Sequence, residues 1–204
     1  MKLFKGNETF AHTYLICRFD CCYLIDPSHN YEAISKALES KTLVGILLTH
    51  AHSDHMDLIG YFDVPIYVHS DDAYLLFEDK YNGYHESKRP FNRKQLHLKL
   101  INNNDTLSIA DQTIKVIHTP GHTKGSVCYL YDGKLYTGDT LFKETVGRHD
   151  LHSGSLSDLK KSILQLMALD VNLKVYPGHD EATSIRYELK NNPFYIKWKK
   201  KKSK

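Results

Sequence analysis

The stretch Thr49-His50-Ala51-His52-Ser53-Asp54-His55 sets three imidazoles and one carboxylate within six positions. Neutral imidazole and carboxylate form the ligand set of zinc, and in wetter sites of iron or manganese. A structural zinc site closes its tetrahedron with cysteines, and this cluster contains none. Its oxygen ligand and tight spacing point instead to a site left open for water or substrate. The alternative is a polar surface loop in a chain that has 13 histidines. That reading does not explain why four ligand-type residues follow directly on the apolar run Ile46-Leu47-Leu48.

Three further strand-like runs end the same way. Val116-Ile117 leads into Pro120-Gly121-His122, Leu135-Tyr136 into Gly138-Asp139, and Val175-Tyr176 into Pro177-Gly178-His179. In sheet proteins with helices outside, sites gather beyond one end of the strands. Glycine in each of these loops lets the chain turn sharply over the sheet edge. Five histidines and two aspartates can then converge: His50, His52, Asp54, His55, His122, Asp139 and His179. Seven ligands exceed the need of one tetrahedral ion and fit two.

The elements that must carry these loops are short. β-branched or aromatic runs predict strands at Thr13–Cys17, Cys22–Ile25, Leu43–Thr49, Pro65–Val68, Ile114–His118, Val127–Tyr131, Lys134–Thr137 and Lys174–Tyr176. Helical spacing predicts helices over Tyr31–Ser40, Asp72–Glu78 and Leu156–Leu169, the last behind a Ser155/Ser157 cap. Residues 79–95 show no period and read as an exposed loop. Interleaved strands and helices make an α/β (α+β) protein.

A chain of 204 residues, 41% hydrophobic and 25% charged, is an ordinary globular protein with one sizeable core. No apolar run approaches the length of a membrane span, and polar residues interrupt the start before a signal-peptide core forms, so the expected location is cytoplasmic. Cys17, Cys21, Cys22 and Cys128 lack paired spacing and read as buried reduced thiols, with a second metal site around Cys17, Cys21 and Cys22 as the alternative. The formal net charge of +3 comes from the end of the chain, where six lysines fall between residues 197 and 204; without them the body stands at −3. The expected organisation is one domain over residues 1–196 and a basic, disordered tail over 197–204, with nucleic-acid attraction as the tail's alternative role.

Taken together, Thr49 to His55, Thr119-Pro120-Gly121-His122, Gly138-Asp139-Thr140-Leu141-Phe142 and Pro177-Gly178-His179 resemble the metallo-β-lactamase-fold hydrolases in order and spacing. The resemblance implies an αββα four-layer sandwich. It also implies that one ion is held by His50, His52 and His122 and a second by Asp54, His55 and His179, with Asp139 and a hydroxide between them. Zinc is the expected metal, with iron or manganese as alternatives. Within the family the chain looks most like short glyoxalase II (hydroxyacylglutathione hydrolase-like) proteins, through Gly147-Arg148, Gly154-Ser155, Tyr176 to His179, and Thr183, Ser184, Ile185, Glu188, Asn192 and Pro193. Arg148 is then the candidate substrate contact; its alternative is a surface arginine paired with Asp150 or Glu144. Full-length glyoxalase II continues into a helical domain that supplies much of the glutathione site, whereas this chain ends soon after Pro193. Asp180 also replaces the usual glycine after His179, so that turn is expected to differ.

The reaction this implies is hydrolysis of a small-molecule thioester. A thiolate with a pKa near ~8.5 leaves with little help from a general acid, and Asp54, the candidate catalytic residue, would orient the nucleophile besides ligating. Competing readings are a persulfide dioxygenase using one iron on the positions of His52, His122 and Asp139, a nuclease or phosphodiesterase of the same fold, and a non-catalytic binding protein. Other histidines carry less. His69 suggests a capping role at a helix start, His118 packing at a strand end, and His149 and His152 flank the Arg148 loop, while His12 has no spacing argument.

Overall fold

The computed structural model describes residues 1–93 and 96–200. Its first sheet runs β1 (Lys2–Phe4), β2 (Thr13–Arg18), β3 (Cys21–Ile25), β4 (Thr42–Leu47), β5 (Pro65–His69) and β6 (His97–Ile101) in sequential order. The β2–β3 pair is an antiparallel hairpin, and β3 to β6 pair in parallel. The second sheet draws on β7 (Thr106–Ile109), β8 (Gln112–His118), β9 (Val127–Tyr131) and β10 (Lys134–Gly138). A small ribbon of β11 (Leu141–Phe142) and β12 (Thr145–Val146) follows, then β13 (Lys174–Pro177) and β14 (Thr183–Ser184). The spatial order is β14-β13-β10-β9-β8-β7.

The helices are α1 (Tyr31–Leu38), α2 (Ser53–Met56), α3 (Asp79–Asn82), α4 (Tyr84–Ser87), α5 (Leu156–Leu166), α6 (Ile185–Asn191) and α7 (Pro193–Lys200). They divide between the outer faces of the two sheets, so strands buried on both sides read as nearly continuous apolar runs. Alternation assigns each residue to a layer. Leu15, Cys22, Leu24 and Ile46 face outward with Ile34 of α1. Tyr14, Ile16, Tyr23, Ile25 and Leu47 meet Val116, Tyr129 and Tyr136 between the sheets. Ile117, Cys128, Leu135 and Val175 face Leu159 and Ile163 of α5. Three apolar layers between four structural ones make the αββα sandwich expected from the motifs.

The topology puts the ligand loops at one end. β8 and β10 are both antiparallel to β9, and β13 is parallel to β10, so the C-terminal ends of β8, β10 and β13 share an edge. A register shift between Tyr136 and Gly138 bends β10 just before Asp139. Helix α5 starts where Ser155 Oγ accepts from the Asp158 amide at 3.2 Å.

Several expectations are corrected. Cys17 and Cys22 oppose each other across the hairpin and form a disulfide, so only Cys21 and Cys128 are free thiols. Direct cross-strand pairing brings their side chains together, which a linear reading of the spacing misses. The segment expected as an exposed loop over 79–95 contains α3 and α4, with Asn82 and Tyr84 buried; residues 94 and 95 lie outside the described residues. The expected tail is helical as far as Lys200, and Trp198 is only 7% exposed because α7 packs beside α5. Residues 201–204 lie outside the described residues. No helix among the described residues is long and apolar enough to cross a membrane.

Candidate metal centre

Past the end of β4 the chain turns into α2, placing His50, His52, Asp54 and His55 within six residues of one tight bend. The loop after β8 brings His122 against them. His52 Nδ1 lies 3.0 Å from His122 Nε2, and His122 Nε2 lies 3.2 Å from His50 Nε2. The network assigns the tautomers. His122 Nδ1 donates to the Arg148 carbonyl at 2.8 Å, so its Nε2 carries a lone pair. Thr49 Oγ1 donates to Asp26 Oδ2 at 2.6 Å and so receives its contact from His50 Nδ1, which leaves His50 Nε2 unprotonated as well. Two imidazole lone pairs facing each other at 3.2 Å repel unless a cation lies between them. Spacings of 3.0 and 3.2 Å also approach the edge of about 3.3 Å in a tetrahedron of ~2.0–2.1 Å zinc–nitrogen bonds.

A second group adjoins the first. His179 Nε2 lies 3.1 Å from Asp54 Oδ2, and His55 Nε2 lies 3.6 Å from the same oxygen. Asp139 faces both groups: Oδ1 is 3.3 Å from His55 Nε2 and Oδ2 is 3.7 Å from His122 Nε2. His52 Nε2, His55 Nε2 and Asp139 Oδ1 are buried with no hydrogen-bond partner. Unpaired buried donors and acceptors of this kind are costly, and a divalent cation would satisfy the two that face each other. The donor set therefore fits metal. His50, His52 and His122 could hold one ion, and Asp54, His55 and His179 another.

Electrostatics separates the two groups. Burial and the neighbouring His122 push His52 down to about 3, and burial with His55 holds His50 well below the ordinary imidazole value. Both are neutral donors at physiological pH. Burial also opposes charge on His55, but Asp139, Asp54 and Asp26 outweigh it and raise its pKa well above the usual range. For Asp139, burial is overcome by His55, and the carboxyl stays ionised.

Residues outside the motifs hold this arrangement. Asp26, buried at the end of β3, accepts from the Thr49 amide at 2.8 Å and from His55 Nδ1 at 2.9 Å. Asp72 ties the His52 bend to the His122 loop. It accepts from the Thr123 hydroxyl at 2.6 Å, the Gly125 amide at 2.7 Å and the Ala51 amide at 3.3 Å. His12 clamps the His179 loop: its amide donates to Gly178 O at 2.6 Å and its Nε2 to Asp180 O at 2.8 Å. The sequence signal for Asp26 is an aspartate closing an apolar strand just before Pro27; Asp72 and His12 carry none.

Asp180 takes φ 62°, the left-handed region its usual glycine would favour, so the turn is kept at modest strain. Gly178 is required by close approach, since a Cβ there would lie 2.4 Å from Asp139 Oδ1 and 2.6 Å from His55 Cε1. Glu188 is fully buried and accepts from Thr183 Oγ1, the Glu144 amide and Asn192 Nδ2, tying α6 to the turn between β11 and β12. His69 accepts from the Asp71 amide at 3.2 Å, and His118 stacks on it with ring centroids 4.0 Å apart.

An open cleft of about 330 Å³ lies over the centre, lined by His52, Asp54, His122, Asp139, Tyr81 and Arg148 among others. Arg148 stands at its rim with its guanidinium paired to Asp150 at 3.0 and 3.1 Å, the arrangement weighed as the alternative to a substrate contact. Tyr81 stacks on His152 at 3.8 Å between centroids, joining the walls of the cleft.

Comparison with known proteins agrees with this geometry. A model of the metallo-β-lactamase superfamily matches residues 6–179. A probable metallo-hydrolase of Streptococcus pyogenes serotype M6 is 34% identical over 96% of this chain and 90% of its own. A hydroxyacylglutathione hydrolase of Psychromonas ingrahamii is 32% identical over 78% of this chain and 56% of its own. Among solved structures, the B3 metallo-β-lactamase BLEG-1 superposes with a TM-score of 0.88 at 32% identity, covering 95% of this chain and 98% of that one. TTHA1623 in a di-iron-bound form superposes at 0.83 with 27% identity, covering 95% and 100%. With a family match across most of its length and ligand loops in the family's order, the chain belongs to the metallo-β-lactamase superfamily.

Proposed function

We propose that this protein is a metal-dependent hydrolase of small acyl thioesters, similar to the hydroxyacylglutathione hydrolases. The observation that carries the reading is Asp139, whose two carboxylate oxygens face different histidine groups at the floor of an open cleft. In this reading His50, His52 and His122 would hold one divalent ion and Asp54, His55 and His179 a second, with Asp139 placed to contribute an oxygen to each. Zinc is the proposed metal; iron is the alternative, as in the di-iron form of TTHA1623.

Two such ions, when bound, lower the pKa of water toward ~7 and polarise an acyl carbonyl. The chain's own residues do the rest. Asp54, with one oxygen engaged by His179 Nε2 at 3.1 Å, orients the nucleophile. Asp26 and the Arg148 carbonyl fix the ring orientations of His55 and His122, so each ligating nitrogen is preset. The Arg148 guanidinium at the rim contacts the substrate by exchanging Asp150 for a substrate carboxylate. A leaving thiolate of pKa near ~8.5 needs no proton donor, which suits a centre whose carboxylates are held ionised by neighbouring imidazoles.

The test is a screen of purified, metal-quantified protein against short acyl thioesters, a phosphodiester, a β-lactam and a persulfide with oxygen uptake recorded. Thioester turnover that follows a content of two ions per chain, without oxygen uptake, is the expected result. Turnover of the persulfide with one iron would replace this reading with the dioxygenase. Turnover of the phosphodiester or β-lactam alone would replace the substrate class.

A further inference from the structure

On the outer face of the second sheet, away from the metal ligands, α5 and α7 diverge to leave a groove of about 450 Å³. It is lined by His149, Leu156, Lys160, Phe194, Lys197 and Trp198 together with Pro193. That volume is within the ~300–1,000 Å³ usual for small-molecule sites. Its floor is Trp198, 7% exposed, with the Phe194 ring set edge-on at 5.6 Å between centroids. Leu156 and Phe194 stay 39% and 38% exposed, an apolar surface that nothing in the chain covers among the described residues. Two ammonium groups frame it. Lys160 Nζ stands 5.8 Å from the Trp198 ring centroid, and Lys197 lies along the exposed side of α7. The neighbouring Lys161 is paired with Asp158 at 2.8 Å, whereas Lys160 and Lys197 have no carboxylate partner among the described residues, and no acidic residue lines the groove.

An apolar floor between two cations that no carboxylate neutralises selects a ligand with a hydrocarbon body and a negative head. We infer that the groove between α5 and α7 binds an amphiphilic anion, namely an unbranched acyl chain ending in a carboxylate. The chain lies over Trp198, Phe194 and Leu156, and the carboxylate reaches Lys160 and Lys197. A neutral chain would gain nothing from the two cations, and a cationic one would be repelled.

Trp198 is the only tryptophan of the protein, so its fluorescence reports the groove directly. Metal-loaded full-length protein is titrated with hexanoate, octanoate and decanoate below micelle formation, and with octanol and octyltrimethylammonium. The expected result is a saturable change with the carboxylates, tightening by up to about fourfold per added methylene, and octanoate at least tenfold tighter than octanol. The double substitution K160Q/K197Q should weaken octanoate tenfold or more and leave octanol unchanged. Equal binding of octanol and octanoate, no loss in the double variant, or no saturable change at all would overturn the proposal. A response to phosphatidylglycerol vesicles with none to soluble decanoate would also overturn it, in favour of a lipid surface.

Discussion

His55 Nδ1 stands 2.9 Å from Asp26 Oδ2, with both side chains at or below 2% exposure. That contact joins the ligand bend after β4 to the end of β3 and leaves His55 Nε2 as the nitrogen turned toward Asp139. Asp26 also accepts from the amide and hydroxyl of Thr49, so one carboxylate serves three donors. Asp26→Asn keeps the volume but replaces one acceptor oxygen by a donor. The expected outcome is a roughly 10–100-fold loss of metal affinity or activity, read by metal titration alongside kcat/KM. Unchanged metal affinity would remove Asp26 from the support of the centre.

Asp139→Ala should cost more activity than His50→Ala or His179→Ala, because Asp139 alone faces both groups. Steady-state kinetics of the three variants at saturating metal decides this. If either histidine change is the more damaging, Asp139 does not bridge.

Dialysis against a strong chelator should abolish thioester hydrolysis, and reloading should restore it at two ions per chain. The reason is the pair of adjoining ligand groups, each with three donors. Elemental analysis that stops at one ion under excess metal would contradict it.

The stack of His69 on His118 gives a pH dependence separate from the metal centre. Burial and His118 lower the His69 pKa to about 4 from 6.5. A histidine whose folded pKa is depressed takes up its proton more readily when unfolded. Its contribution to stability is therefore intact above pH 6.5 and lost as pH falls toward 4. Between pH 7 and 5 the wild type should lose on the order of 1–2 kcal/mol more than His69→Gln, measured by urea unfolding at both pH values. Parallel losses in the two proteins would show that His69 does not carry this dependence.

Removing residues 201–204 should leave turnover of a neutral thioester unchanged, because these residues lie beyond every candidate ligand in the sequence and carry no ligand type. Trp198→Ala, by contrast, removes a side chain packed with Leu159 and Ile163 beside α5 and should destabilise by about 3 kcal/mol or more. Thermal unfolding of both variants tests the division. A Trp198→Ala protein as stable as wild type would show that Trp198 does not contribute to the core.

The sequence alone determined the types of the candidate ligands, their order and the strands that deliver them. These are local properties: apolar runs set β4, β8, β10 and β13, and glycine-bearing loops follow three of them. Helix α5 was legible from its periodicity and its Ser155 cap. What tertiary structure decided depends on partners far apart in the chain. Asp72 lies 51 residues from Thr123, and His12 168 residues from Asp180, and neither reads as more than a polar residue until the fold pairs them. The Cys17–Cys22 disulfide depends on hairpin register, and the folding of α7 on its burial of Trp198 against α5, a gain that lysine-rich composition conceals. Spacing lists which donors a chain possesses; which nitrogen each histidine presents is set by the hydrogen bond on its other face, and only the packed structure supplies that neighbour.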